Sequence, residues 1–252
     1  MGKLLLITGT DTGVGKTTVT TVVTRHLISH GYNVHAIKPV ETGCPKDEAG
    51  ELVAEDAALH AWAMFNNRSR AGECVRYKFE TPAAPMVAAR MENQAIDKEA
   101  LLEWVRNKSD QCDLLLVEGA GGLLVPILEN YTFADFAREL QMDVLVVVGS
   151  RLGAGNHSAL TFELRKSKGL NLIGYVFNDL YADEAQKDPV LAMNRALLRE
   201  IGEIYRILEV GYLQKVESPL DDAACDVLSQ SDDVADLAEN LIKHYSLTPS
   251  ST

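Results

Sequence analysis

Lys3-Leu4-Leu5-Leu6-Ile7-Thr8-Gly9-Thr10-Asp11-Thr12-Gly13-Val14-Gly15-Lys16-Thr17 sets the reading of the whole chain. A short apolar run ends in a glycine-bearing loop, and Gly15-Lys16-Thr17 opens a segment of helical periodicity. Successive backbone N–H groups in such a loop form an anion nest, and the helix behind it adds the partial positive charge of its N-terminus. A triphosphate suits this order. Lys16 would reach the β- and γ-phosphates and the Thr17 hydroxyl would bind Mg²⁺, with Gly13, Val14, Gly15 and Thr18 around the phosphates. The usual spacing puts a glycine at Thr10; here it stands one place earlier, at Gly9. The plain alternative is a tight strand-to-helix turn that happens to contain lysine, but such a turn has no need of polar Asp11 and Thr12 at its tip.

Apolar runs alternate with helix-period segments along the rest of the chain, the pattern of an α/β protein with a doubly wound, mainly parallel sheet covered by helices on both faces. Strands are expected at Leu4–Thr8, Val34–Lys38, Leu114–Glu118, Val144–Gly149, Leu172–Asn178 and Tyr205–Val210. Helices are expected near Lys16–His30, Ala49–Phe65, Lys98–Lys108, Phe133–Leu140, Asn156–Lys168, Pro189–Ile201 and Val234–Tyr245. Val19, Val22, Val23 and Leu27 share one face of the first helix, and Gly31 ends it. The 252 residues allow one sizeable domain, 1–252, with no glycine- or serine-rich linker and a frayed tail at about 247–252.

Thirty-six acidic residues against 24 basic give a formal charge of −12, which repels nucleic acid and keeps the chain in solution. Cys44, Cys74, Cys112 and Cys225 are scattered, with neither C-x-x-C spacing nor a histidine cluster, and read as free thiols of a reducing compartment. Leu4–Ile7 is too short for a signal-peptide core, and no run approaches a membrane span. A cytoplasmic enzyme without membrane or nucleic-acid partners is the expectation.

In open parallel sheets ligands bind beyond the carboxyl ends of the strands, so the polar residues there carry the chemistry. Lys38, in Lys38-Pro39-Val40-Glu41-Thr42-Gly43, either snorkels to solvent or aims its charge at a transferring phosphoryl group; the phosphate loop favours the second. Asp56 sits where acidic residues also merely oppose a helix dipole. Glu118, closing Leu114-Leu115-Leu116-Val117, stands where a magnesium-holding carboxylate belongs, and Gly119-Ala120-Gly121-Gly122 lets backbone approach a ligand. Asn178-Asp179 ends another strand; an amide that donates and accepts suits an adenine edge, though asparagine is also an ordinary turn residue. Gly155 and Asn156 open a helix either as a plain cap or as a receiver for a carboxylate. His157 and the remaining histidines read as packing or surface residues, there being no Ser or Cys partner for them.

Taken together, Gly9–Thr17, Lys38–Gly43, Glu118–Gly122 and Leu152-Gly153-Ala154-Gly155-Asn156-His157 resemble the dethiobiotin synthetase family in order and spacing, over residues 3 to about 180. The resemblance implies a fold of the P-loop NTPase type and ATP-dependent closure of a cyclic urea from 7,8-diaminopelargonic acid and CO₂. It also implies a homodimer with substrate at the subunit interface. By matched position, Lys16 and Thr17 hold phosphates and Mg²⁺, Asp56 and Glu118 complete the metal shell, and Lys38 and Thr12 contact the carbamate. Thr42 contacts substrate, Asn178 faces adenine, and Gly155-Asn156 of the partner subunit receives the substrate carboxylate. The chain departs from the family at Gly13, where members often have glutamate. The family's proline-bearing loop near the base is not recognisable in Leu208–Leu213.

Two rivals share the superfamily. A cobyrinate-type amidase would need a glutaminase domain, for which there is no room. A ParA/MinD-type switch would need lysine at Asp11 and glycine at Thr12.

Overall fold

The computed structural model describes residues 2–179, 193–214 and 221–250. Strand β1 (Lys3–Gly9) runs up the middle of a seven-stranded sheet. Helix α1 (Lys16–Ser29) follows, then β2 (Val34–Thr42) and α2 (Glu55–Phe65). A 3₁₀ turn at Arg68–Glu73 leads to β3 (Val75–Phe79), α3 (Pro85–Met91), α4 (Lys98–Ser109) and β4 (Leu114–Glu118). A small antiparallel pair, β5 (Pro126–Leu128) and β6 (Tyr131–Thr132), precedes α5 (Phe133–Glu139). Beyond it lie β7 (Asp143–Gly149), α6 (Ala154–Lys168), β8 (Asn171–Asp179), α7 (Asn194–Tyr205) and β9 (Glu209–Gln214). Helices α8 (Asp222–Ser229) and α9 (Asp232–Tyr245) close the described chain.

The sheet order is β3-β2-β4-β1-β7-β8-β9, parallel throughout. Alternation along each strand builds two cores. Leu4, Leu6, Leu115, Val117, Val144 and Val146 pack with Leu101, Phe136 and Phe162 of α4, α5 and α6. Leu5, Ile7, Leu114, Leu116, Leu145 and Val147 meet α1 and α9 on the other face. Val19, Val22, Val23 and Leu27 all fall in that second cluster, as their spacing requires. Helix α1 is rich in threonine and valine, poor helix formers, so its stability comes chiefly from this packing.

Several elements differ from the sequence expectations. Helix α2 starts at Glu55, not Ala49, because the Asp47 carboxylate accepts the N–H groups of Ala49 and Glu51 and folds the preceding segment into a turn. Strand β2 continues four residues past Lys38; Pro39 costs no ladder bond to β4, whose pairing ends at Ile37–Val117. Strand β3, at the sheet edge, is absent from the sequence expectations; Val75-Arg76-Tyr77-Lys78-Phe79 alternates as a strand does but over five residues only. The expected strand at Tyr205–Val210 instead begins at Glu209: Tyr205 ends α7, and Arg206, at φ 56°, caps it in the left-handed region. The expected start of that helix at Pro189 lies outside the described residues.

The tail expected to fray from 247 is tied down as far as Ser250. Leu247 packs against the second core, and the Ser250 N–H donates to the Gly31 carbonyl. All four cysteines are buried and unpaired. Among the described residues no helix is long and apolar enough to cross a membrane.

Candidate active site

A cavity of about 700 Å³ opens beyond the carboxyl ends of β1, β2 and β4. The phosphate loop forms one wall. Gly13 and Gly15 have φ of 72° and 90°, the left-handed turns that point successive N–H groups inward and that a side chain would strain. Lys16, one residue into α1, folds back so that its Nζ donates to the Asp11 carbonyl at 3.2 Å. Burial, and then the charge of Lys38, pull its ammonium down to about 8.

Lys38 and Glu118 face each other at the centre. Lys38 Nζ donates to Asp56 Oδ2 at 2.5 Å and to Glu118 Oε1 at 2.6 Å. Thr17 Oγ1 donates to the same Oε1 at 2.9 Å. Glu118 is completely buried. Burial alone would raise its carboxyl, but Lys38 and a hydrogen bond from His60 hold it well below the carboxylate range. Burial likewise opposes charge on Lys38, and Glu118 with Asp56 overcomes it, so the ammonium is raised above its ordinary value.

Asp56 is delivered by the first turn of α2, and that turn is capped from another element. Glu41, on β2, accepts the Asp56 N–H through Oε1 at 2.9 Å and the Ala57 N–H through Oε2 at 3.0 Å. Burial and the neighbouring Asp56 push the Glu41 carboxyl up to about 7, against the pull of Lys38 and the two N–H groups.

The cavity is lined by Gly13, Gly15, Lys16, Thr17, Thr18, Asp56, Glu118, Ala120 and Gly121 of the expected nucleotide set, and by Thr12, Lys38 and Thr42 of the expected substrate set. The others stand outside that lining. Val14 is buried under the loop, its carbonyl accepting from Asn178 Nδ2 at 3.0 Å. Asn178 is itself buried, and its Oδ1 has no hydrogen-bond partner among the described residues. Asp179 Oδ2 accepts from the Tyr212 hydroxyl at 3.4 Å. Gly119 donates its N–H to the Ile7 carbonyl. Gly155 is buried in the first turn of α6, where a Cβ would press on Leu197 and Ile201 of α7, while Asn156 points to solvent.

Three participants escaped the sequence reading. His60 is completely buried and bonds to Glu118; its one signal was its place four residues after Asp56, on the same helix face. Glu41 acts across two elements, and nothing local announces it. Arg151, after β7, pairs with Asp11 Oδ2 at 2.7 Å and so braces the loop tip.

The oxygen set of Thr17, Asp56 and Glu118 fits a hard divalent cation such as Mg²⁺, and Lys38 shows that a positive charge is held between the two carboxylates. Among the described residues no cluster of three or more His, Cys, Asp or Glu forms an all-protein metal cage. Mg²⁺ at a nucleotide site does not need one, because substrate phosphates and waters complete its shell.

A family model described as an AAA domain matches residues 3–220. The ATP-dependent dethiobiotin synthetase BioD of Aquifex aeolicus is 37% identical over 217 residues, which cover 86% of this chain and 92% of that one. The protein of the same name from Anaeromyxobacter is 38% identical over 197 residues, covering 78% and 84%. In structure, a chain of the MinC:MinD cell division protein complex of Aquifex aeolicus superposes with a TM-score of 0.56 at 14% identity, over 96% of each chain. That likeness is one of fold alone.

Proposed function

The chain belongs to the ATP-dependent dethiobiotin synthetase family, and on that premise we propose how its pocket carries out the reaction. The activity is ATP-dependent synthesis of dethiobiotin from 7,8-diaminopelargonic acid and CO₂, a step of biotin biosynthesis. The observation that carries the site assignment is the meeting of Lys16, Thr17, Lys38, Asp56 and Glu118 around one cavity at the end of the phosphate loop.

A neutral amine of the diamine captures CO₂ as a carbamate. A carbamate oxygen then attacks the γ-phosphorus of ATP in line, and ADP leaves. The second amine attacks the carbonyl of the resulting carbamic–phosphoric anhydride and expels phosphate, closing the urea ring. None of these steps needs a protein nucleophile, and the residues present are suited to alignment and charge stabilisation.

The loop N–H groups and Lys16 bind the β- and γ-phosphates. Lys38, whose ammonium stays charged across the neutral range, lines the same cavity as Thr12 and Thr42 and would meet the carbamate oxygens there. Thr17, Asp56 and Glu118 would hold Mg²⁺, which supplies further neutralisation of the transferring phosphoryl group. Asn178 pins the loop through Val14, and its buried, unpartnered Oδ1 would be the acceptor for the adenine amino group once that side chain is reached. The start of α6, with Gly155 and Asn156, is assigned to the carboxylate of substrate held mainly by the other subunit of a homodimer.

Incubation with ATP, Mg²⁺, labelled bicarbonate and the diamine tests the reading. Label is expected in a cyclic urea, dependent on all four components. ATP turnover that ignores the diamine and answers to a protein partner would instead favour the MinD-like alternative, which shares the fold but not the residues at Asp11 and Thr12.

A further inference from the structure

His60 has no part in the mechanism above, yet both of its ring nitrogens are engaged in a wholly buried chain. Nε2 lies 2.8 Å from Glu118 Oε2, and Nδ1 lies 3.1 Å from Thr21 Oγ1. An ionised carboxylate only accepts, so Nε2 must carry the hydrogen and donate it to Glu118. In the neutral ring Nδ1 is then the acceptor, and the Thr21 hydroxyl donates to it. Thr21 fixes the tautomer, and the tautomer fixes the carboxylate.

The consequence for Glu118 is a division of labour between its oxygens. Oε2 is held by His60 on the protein side, while Oε1 is shared by Thr17 and Lys38 on the cavity side. A carboxylate tied at one oxygen cannot turn about its last torsion, so Oε1 stays presented to the pocket. The same chain links α1, which carries Lys16 and Thr17, to α2, which carries Asp56, and to the end of β4. Thr20 and Thr24, on α1, donate back to carbonyls of their own helix; Thr21 instead turns its hydroxyl to the imidazole. An apolar side chain would fill the volume at 60 but would leave Oε2 buried with no donor.

We infer that His60 is a positioning residue for the metal–nucleotide site: through Nε2 it locks the Glu118 carboxylate so that Oε1 faces the bound cation. The inference rests on the proposed role of Glu118 as a magnesium ligand. Hydrogen-bond partners of metal ligands commonly set affinity by about 10- to 100-fold, and His60 acts on Glu118 in that way.

The test is calorimetric titration of ADP into the protein with Mg²⁺ and, separately, with EDTA. His60→Leu is expected to lose about 10- to 100-fold of the Mg²⁺-dependent gain in ADP affinity. Its affinity in EDTA should stay within about threefold, because the phosphate loop is untouched. His60→Gln, whose amide N–H can stand in for Nε2, is expected to recover most of the gain. Thr21→Val keeps the ring but removes the donor to Nδ1, and should lose about threefold or more.

A wild-type Mg²⁺ gain in His60→Leu overturns the inference. So does an equal loss with Mg²⁺ and with EDTA, which would mark a general packing defect, or a Gln variant no better than Leu. Should the Leu variant fail to fold, Thr21→Val and His60→Gln decide: an undisturbed Mg²⁺ gain in Thr21→Val overturns it. If wild-type protein itself gains nothing from Mg²⁺, the assignment of Glu118 falls first and the role of His60 with it.

Discussion

At the scale of single residues the pocket holds two lysines under opposite pressures. Lys38 is pinned between carboxylates and stays an ammonium, whereas Lys16 is buried beside another cation and titrates near 8. In the free protein at pH 9, Lys16 is therefore mostly neutral, and a bound triphosphate returns its charge by drawing a proton from solvent. Binding of ATP at pH 9 is expected to take up a proton that binding at pH 7 does not. Calorimetry in buffers of different ionisation enthalpy reads this directly, and a Lys16→Met variant should lose the difference. Equal uptake at both pH values would contradict it. For catalysis, Lys16→Ala is expected to lose about two orders of magnitude in turnover, the scale seen when one charge-stabilising donor is removed. Undiminished kcat in that variant would take the loop out of the active site. Glu118→Gln keeps the shape of the side chain but removes its negative charge and one of its two acceptor oxygens, so its Mg²⁺ requirement should rise; metal titrations that overlay wild type would show that the carboxylate holds no metal.

At the scale of elements, the placing of Asp56 depends on a cap supplied across the sheet edge. Glu41 satisfies two N–H groups of the first turn of α2, a task usually done by the residue just before a helix; that residue here is Ala54, which has no acceptor to offer. Glu41→Ala is expected to cost about 1–2 kcal/mol in urea unfolding, as other cap deletions do, and to raise the Mg²⁺ requirement through Asp56. The sign of the pH effect follows from the raised carboxyl. The folded state holds the Glu41 proton up to about 7, the unfolded chain only to its ordinary value, so this group's contribution to stability falls as pH rises between them. Glu41→Gln should accordingly be costlier at pH 5 than at pH 8; a cost independent of pH would show that Glu41 does not titrate in that window.

These interactions mark the limit of what the sequence exposes. The phosphate loop, the central strands and the carboxylate after β4 are written locally, in runs such as Leu114–Glu118. Edge strand β3 does alternate apolar Val75, Tyr77 and Phe79 with Arg76 and Lys78, but at five residues the pattern is too short to stand out. Glu41 and His60 were hidden because their partners lie 15 and 58 residues away, and only the crossing of β2, α2 and β4 brings them together.

At the scale of the whole molecule, the pocket and the start of α6 are separated. Neither Gly155 nor Asn156 lines the cavity formed by the phosphate loop and β2. If these residues receive the substrate carboxylate, they do so for another copy of the chain. The surface around them suits that role: Leu152, Leu160 and Leu197 are 82%, 63% and 45% exposed, on the loop before α6, on α6 and on the adjoining α7. Scattered single leucines are unremarkable on a protein surface, but exposed leucines on both helices beside Gly155 and Asn156 are the side chains an interface would cover. Leu160→Glu places a charge there without touching the phosphate loop. Sedimentation velocity at micromolar concentration is expected to show a dimer for wild type and a monomer for the variant. The variant should bind ATP within about threefold of wild type, because the loop N–H groups and Lys16 belong to one chain. Its turnover of the diamine should fall steeply, with KM rising as the carboxylate loses its receiver. A monomeric Leu160→Glu protein with full turnover would place the entire substrate site within a single subunit, and would remove Gly155 and Asn156 from it.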